Sequence, residues 1–157
     1  MGDDPPTDAG SPTGAAGRPF DGHELDFWVG DWDVSWAGGS GTNRLAWILG
    51  GHVLHEQFEG GDADSRLVGQ SWSVFDPERA LWRQTWVDDS GGYLDLVGER
   101  VDGNFGFVRL APERGAAARQ RMVFRDLEAD RFRWTWELSL DGGATWTTRW
   151  EIDYRRR

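Results

Sequence analysis

The sequence predicts an all-β fold: a single antiparallel up-and-down β-barrel of about ten strands with a short N-terminal capping helix. Three observations predict it. Short runs in which apolar and polar residues alternate recur from Asp31 to Tyr154. Each run is closed by turn chemistry rich in Gly, Asp, Asn or Pro. The runs also follow one another closely enough to pair as sequential hairpins, and closing such a series removes exposed edges without a long crossover. A sandwich of the same hairpins is the competing arrangement. No repeat of fixed period supports a propeller.

Residues 1–19 are Asp, Pro, Gly, Ala, Ser and Thr with one Arg after the initial Met. They cannot bury enough apolar surface to offset chain entropy, which predicts a disordered tail ahead of one barrel domain over 20–157. The barrel begins at Phe27-Trp28-Val29-Gly30-Asp31-Trp32. Asp21 as N-cap and Glu24 three residues on form a capping box. Leu25, Trp28 and Val29 then share one helical face, and Gly30 can end the helix in a left-handed conformation. From Asp31 the period becomes two.

The strands expected after that cap are 31–37, Thr42–Leu49, His52–Glu59, Arg66–Phe75, Leu81–Val87, Tyr93–Val101, Asn104–Ala111, Arg119–Asp126, Arg131–Leu138 and Trp146–Tyr154. Asp102-Gly103 favours a two-residue hairpin loop. Pro112–Ala118 is a longer loop.

Composition excludes several chemistries. The chain has 157 residues, no cysteine, and only arginine among its 17 Lys and Arg positions. Disulfides, thiolate nucleophiles, Cys-ligated zinc and lysine Schiff bases are therefore ruled out. The Arg-only, Gly- and Ala-rich usage suggests a high-GC bacterial genome. A net charge of −10 with no basic stripe argues against nucleic acid. No apolar run approaches a membrane span and 1–19 has no signal-peptide core, so a cytoplasmic monomer or homodimer without membrane contact is expected. The three histidines are His23, His52 and His55. His52 and His55 fall on opposite faces of one strand, which predicts no metal site, and no cofactor is expected. Gly69-Gln70-Ser71-Trp72-Ser73 lacks the second glycine of a nucleophile elbow.

Gly30-Asp31-Trp32 after a short cap resembles the Gly-x-Trp signature of calycins: lipocalins, fatty-acid-binding proteins and nitrobindin-like haem barrels. The wider set is similar to a bacterial family of uncharacterised lipocalin-like domains. It comprises Asp26 to Trp32, Gly41-Thr42-Asn43, Trp82 to Asp88 and Asp141-Gly142-Gly143-Ala144-Thr145-Trp146, and spans roughly 20–155. The resemblance implies a barrel with a cavity, not an established reaction. In lipocalins a basic residue on the last strand packs over the Gly-x-Trp indole. Arg149 has the chain position for that role, but alternation sets it opposite Trp146, Trp150 and Ile152. Ser139 to Trp146 also matches the Asp-box hairpin of sialidases, where it is a folding turn; a single copy predicts only a hairpin.

Taking the aromatic face of each strand as inward puts Trp32, Val34, Trp36, Leu45, Trp47, Leu49, Leu54 and Phe58 inside. From later strands it adds Val68, Trp72, Val74, Trp82, Trp86, Phe105, Phe107, Trp134, Trp136, Trp146, Trp150 and Ile152, among others. The same faces carry Asn43, Glu56, Gln70, Gln84, Arg109, Gln120 and Thr148. Apolar walls with a few convergent polar groups describe a ligand cavity. The alternatives are strand-end solvation and a structural Glu56–Arg109 ion pair.

The candidate ligand-binding set is Trp36, Asn43, Trp47, Glu56, Gln70, Trp72, Trp82, Gln84, Trp86, Arg109, Gln120, Trp134, Trp136 and Thr148. Its expected partner is a small apolar or aromatic molecule held by indole stacking. Glu56, flanked by Leu54 and Phe58, is the candidate acid/base. That leaves a cyclase or isomerase as the alternative function, with haem binding through one histidine as a lesser one.

Overall fold

Ten antiparallel strands close on themselves in a computed structural model that describes residues 18–157. The expected tail, apart from Arg18 and Pro19, lies outside the described residues. The strands are β1 (Gly30–Trp36), β2 (Gly39–Ile48), β3 (Val53–Gly61), β4 (Arg66–Asp76) and β5 (Leu81–Asp88), then β6 (Tyr93–Val101), β7 (Asn104–Leu110), β8 (Arg119–Arg125), β9 (Arg131–Ser139) and β10 (Thr147–Arg156). Each pairs with its sequence neighbours, and β1 pairs with β10 to close the barrel, setting Trp32 opposite Arg156 and Val34 opposite Tyr154. Closure leaves no strand edge unpaired, which is why an all-hairpin sequence prefers it to a sandwich. At the β6–β7 turn Asp102 and Gly103 have φ of 49° and 82°, the backbone an Asp-Gly hairpin loop requires.

One end of the barrel is plugged. Leu25 and Trp28 are fully buried there, and Phe27 meets Phe124 and Phe132 edge-to-face. The expected capping helix is replaced by a single 3-10 turn, Asp26–Trp28. The capping-box groups do bond, but around a tighter bend. Glu24 accepts from the Asp21 and Gly22 amides at 3.0 and 3.1 Å, and Asp21 accepts from the His23 amide at 3.1 Å. Gly22 at φ 90° lies outside helical space, so the turn cannot lengthen. Burial of the Trp28 and Leu25 side chains, worth roughly 2–3 kcal/mol each, holds the plug instead of helix propagation. Gly30 has φ 131° and opens β1 rather than ending a helix.

One strand, β4, presents the face opposite to that expected, and β10 does so only ahead of a bulge, with Trp150 and Ile152 inward as expected. In β4 the inward residues are Leu67, Gly69, Ser71, Ser73 and Phe75. Ser71 and Ser73 are buried, while Val74 is 41% exposed and Trp72 stacks on His55 from outside. Pairing sets this: Phe58 faces Gly69, Glu56 faces Ser71, and across β5 Ser71 faces Trp86. A Cβ on Gly69 would lie 2.0 Å from the Trp86 ring, so small residues of β4 make room for large ones of β5. Size complementarity between strands outweighs the aromatic count within one strand.

In β10 a bulge between Thr148 and Trp150 shifts the register. Thr148 pairs with the outward Glu137 and Trp150 with the inward Trp136, so Arg149 is the extra residue and parity flips around it. Trp146 therefore sits outside, against the Arg121 guanidinium at 3.9 Å. The hairpin before it is built as its motif predicts. Asp141 accepts from the Thr145 amide and hydroxyl at 2.9 and 2.6 Å, and Ser139 accepts from the Gly143 amide at 2.8 Å. Leu49, expected inside, lies in the β2–β3 turn and is 73% exposed.

Candidate functional site

Above the aromatic plug the barrel holds a cavity of about 320 Å³ that opens at the end opposite the plug. Its walls are apolar: Trp86 of β5, Leu94 and Leu96 of β6, Met122 of β8, Trp134 and Trp136 of β9, and Trp150 and Ile152 of β10. The indoles brace one another. Trp134 and Trp136 stack with planes 6° apart, and Trp150 stands at 86° to both Trp134 and Trp36.

The deep wall is polar. Glu56 is 5% exposed, accepts from Asn43 Nδ2 at 2.7 Å and from Ser71 Oγ at 2.5 Å, and borders the cavity. Asn43 Nδ2 also donates to the Tyr154 hydroxyl at 3.0 Å. Asn43 Oδ1 is buried without a partner among the described residues. Gln84 completes the wall, its amide donating to Ser73 Oγ at 3.0 Å. Burial pushes the Glu56 carboxyl up to about 7, against the two hydrogen bonds that favour its ionised form. Burial, reinforced by the nearby Glu56 charge, raises the Tyr154 phenol well above its ordinary range.

At the mouth Arg109 of β7 donates to Glu113 at 2.7 Å and to the Gln120 side-chain oxygen. Glu113 and Arg114 come from a 3-10 turn, Pro112–Arg114, in the β7–β8 loop. The expected alternative of a Glu56–Arg109 ion pair is not formed; β3 and β7 present these groups at different depths, and each is satisfied by nearer partners.

Of the expected ligand-binding set, Glu56, Gln84, Trp86, Arg109, Gln120, Trp134 and Trp136 line the cavity. Asn43 supports Glu56 from behind. Trp82 is fully buried in the plug, where its indole N–H donates to Glu24 at 2.8 Å, and Trp47 lies 6.5 Å from it. Trp36 packs on Phe58 and Trp150 beside the cavity. Gln70, Trp72 and Thr148 are on the exterior, for the β4 and β10 reasons given above; Gln70 bonds His55 there at 2.8 Å.

Tyr154 was legible only in part, since the spacing Trp150, Ile152, Tyr154 places it inward but at a strand end. Glu113 and Arg114 carry no periodic signal at all. None of the three histidines lines the cavity: His55 is outside, His52 is exposed beside the β2–β3 turn, and His23 is an exposed residue that bonds Asp26 ahead of the plug. The residues present do not fit a histidine-ligated haem in this lumen. Among the described residues no group of three or more His, Asp or Glu is placed to hold a metal ion, and no helix is long and apolar enough to cross a membrane.

The basic residue over the Gly-x-Trp indole is Arg156, not Arg149. Its guanidinium carbon lies 4.1 Å from the Trp32 ring centroid, and it donates to the Val29 and Phe27 carbonyls at 2.8 Å each. Arg156 follows the bulge and shares the parity of Trp150, Ile152 and Tyr154. No family model and no curated protein matches the chain. The closed ten-stranded antiparallel barrel is consistent with a calycin-like fold.

Proposed function

We infer that the protein binds a small apolar or aromatic molecule inside the barrel. The observation that supports this is the indole-walled cavity of about 320 Å³ with a polar deep wall, near the lower end of the roughly 300–1,000 Å³ usual for small-molecule sites. A flat ligand can stack on Trp86, Trp134 and Trp136 while Gln84, Glu56 and Tyr154 bond its polar edge. Filling the space gives the test. Calorimetric titration with indole should show saturable binding to the native protein. Leu94→Trp, which adds an indole to the cavity, should weaken that titration at least tenfold with the melting temperature held within a few degrees. Equal binding by the filled variant would sink the reading. Mass spectrometry of small molecules carried through purification would then identify the natural ligand.

One observation favours a second reading, a cyclase or isomerase. A carboxyl at about 7 on a cavity wall can both give and take a proton near neutrality. In that case Glu56→Gln abolishes turnover of the cognate substrate while indole still binds.

A further inference from the structure

The charge pattern of the cavity separates its depths. Glu56 is the one carboxyl on the deep wall, and its hydrogen-bond partners, Asn43 and Ser71, are both neutral donors. Among the described residues no arginine lies within ion-pair distance of it. From β2 the residues beside it are Asn43 and Leu45, from β4 Ser71, from β5 Gln84, and from β10 Ile152 and Tyr154; Tyr154 is the only other titratable group among them. Both oxygens thus receive hydrogen bonds suited to a carboxylate, yet each keeps further acceptor capacity and no counter-charge is present. Such a site is complete for an anion in everything except a cation.

The walls supply what a cation needs. Trp134 and Trp150 stand perpendicular at a centroid distance of 5.7 Å, and Phe58 adds a third ring at 6.0 Å from Trp150. Indole faces attract ammonium and amidinium groups through the ring quadrupole, most strongly where water is excluded. The opposite charge class is disfavoured at the deep wall. Two arginines line the mouth, Arg109 and Arg114; Arg109 is committed to Glu113 and Gln120, so a ligand carboxylate held at the mouth would be left with Arg114 beside Glu113, and one placed deeper would sit against Glu56.

We propose that the cavity selects an organic cation, an aromatic or short aliphatic amine whose ammonium group pairs with Glu56 on the deep wall while its apolar part stacks among Trp86, Trp134, Trp136 and Trp150. The assignment rests on the small-molecule binding reading above and narrows it to one charge class. Binding carries a proton signature. Where Glu56 is protonated it must release its proton to receive the ammonium group, so affinity falls as pH drops below about 7.

Three probes of one shape test this: tryptamine, its neutral isostere 3-propylindole, and the anion indole-3-acetate, titrated by calorimetry. At pH 8 tryptamine should bind at least tenfold tighter than 3-propylindole, with indole-3-acetate weakest. At pH 6 tryptamine binding should release close to one proton, measured in two buffers of different ionisation enthalpy. In Glu56→Gln that release should vanish and the tryptamine preference over 3-propylindole collapse to within about twofold; Glu56→Asp should retain part of the preference. If 3-propylindole matches tryptamine in the native protein, the cation assignment is overturned and small-molecule binding stands. If none of the three binds, both fall.

Discussion

The Arg156 guanidinium lies 4.1 Å over the Trp32 ring and donates to the carbonyls of Val29 and Phe27. One side chain from the last strand thus locks the indole of the first strand and the backbone that leads into it. It also donates to the Ala129 carbonyl at 3.2 Å, tying in the β8–β9 connection. The space is shared with Gly30, where a Cβ would stand 2.6 Å from Arg156 Nη1. Loss of charged hydrogen bonds to backbone, at roughly 1.5–3 kcal/mol each before relaxation and water compensate, makes Arg156→Ala costly. The expected destabilisation is about 2–4 kcal/mol by urea unfolding.

Gly30→Val should cost about 1–3 kcal/mol, because φ 131° strains any side chain and the new Cβ meets Arg156. In the Arg156→Ala background the steric part disappears and only the backbone part remains. The double-mutant cycle should therefore show the pair losing less than the sum of the singles. Strict additivity would mean the two residues do not share the contact.

The strand map was legible because hydrophobic period and turn residues agree along almost the whole chain. Trp32, Val34 and Leu45 alternate cleanly, and Asp102-Gly103 specifies its own loop. What the sequence hid was parity, which is a relation between strands. Nothing within Gly69-Gln70-Ser71-Trp72-Ser73 reveals that Trp86, on the next strand, needs the volume that Gly69 leaves. Likewise the bulge at Arg149 is invisible until β9 supplies the register. The candidate site inherited those two errors in Gln70, Trp72 and Thr148. Arg156, the basic residue that the Gly-x-Trp resemblance implies, falls beyond the expected end of the last strand at Tyr154.

Inversion of β4 gives a labelling prediction, made simple by the absence of cysteine from the chain. Gln70→Cys, an exterior position, should react with a maleimide within minutes in the native protein. Ser71→Cys, facing Glu56 and buried, should be protected by at least two orders of magnitude. Faster labelling at 71 than at 70 would restore the inward Trp72 face.

Gly69 and Trp86 give a packing prediction. Gly69→Val should destabilise by about 1–3 kcal/mol through overpacking, since its Cβ would overlap the indole. Trp86→Leu opens that volume, so the double variant should be less affected by the valine than the native protein is. A valine cost that is the same in both backgrounds would remove Trp86 as the reason for the small residue.

The buried carboxyl predicts how stability changes with pH. Glu56 titrates near 4.5 in the unfolded chain and at about 7 in the folded one, so between those values the folded state holds a proton that the unfolded state has lost. Its contribution is fully present below 4.5, declines as pH rises to about 7, and is gone above; the rise corresponds to about 3 kcal/mol. His23 acts in the same sense at higher pH. Its bond to Asp26 raises its pKa, so its smaller, solvent-screened contribution also fades as pH increases through the folded value. The lowered carboxyls, such as Asp62, Asp76 and Asp88, act at more acid pH, where protonation removes stability. Comparing native protein with Glu56→Gln isolates the one group. The glutamine keeps an acceptor for Asn43, and the Ser71 hydroxyl can turn to accept from its amide. Urea unfolding at pH 4.5 and pH 8.5 should show the variant gaining on the native protein by about 2–3 kcal/mol between the two. Parallel curves would mean Glu56 ionises normally in the fold, and that its carboxyl reaches water through the cavity it borders.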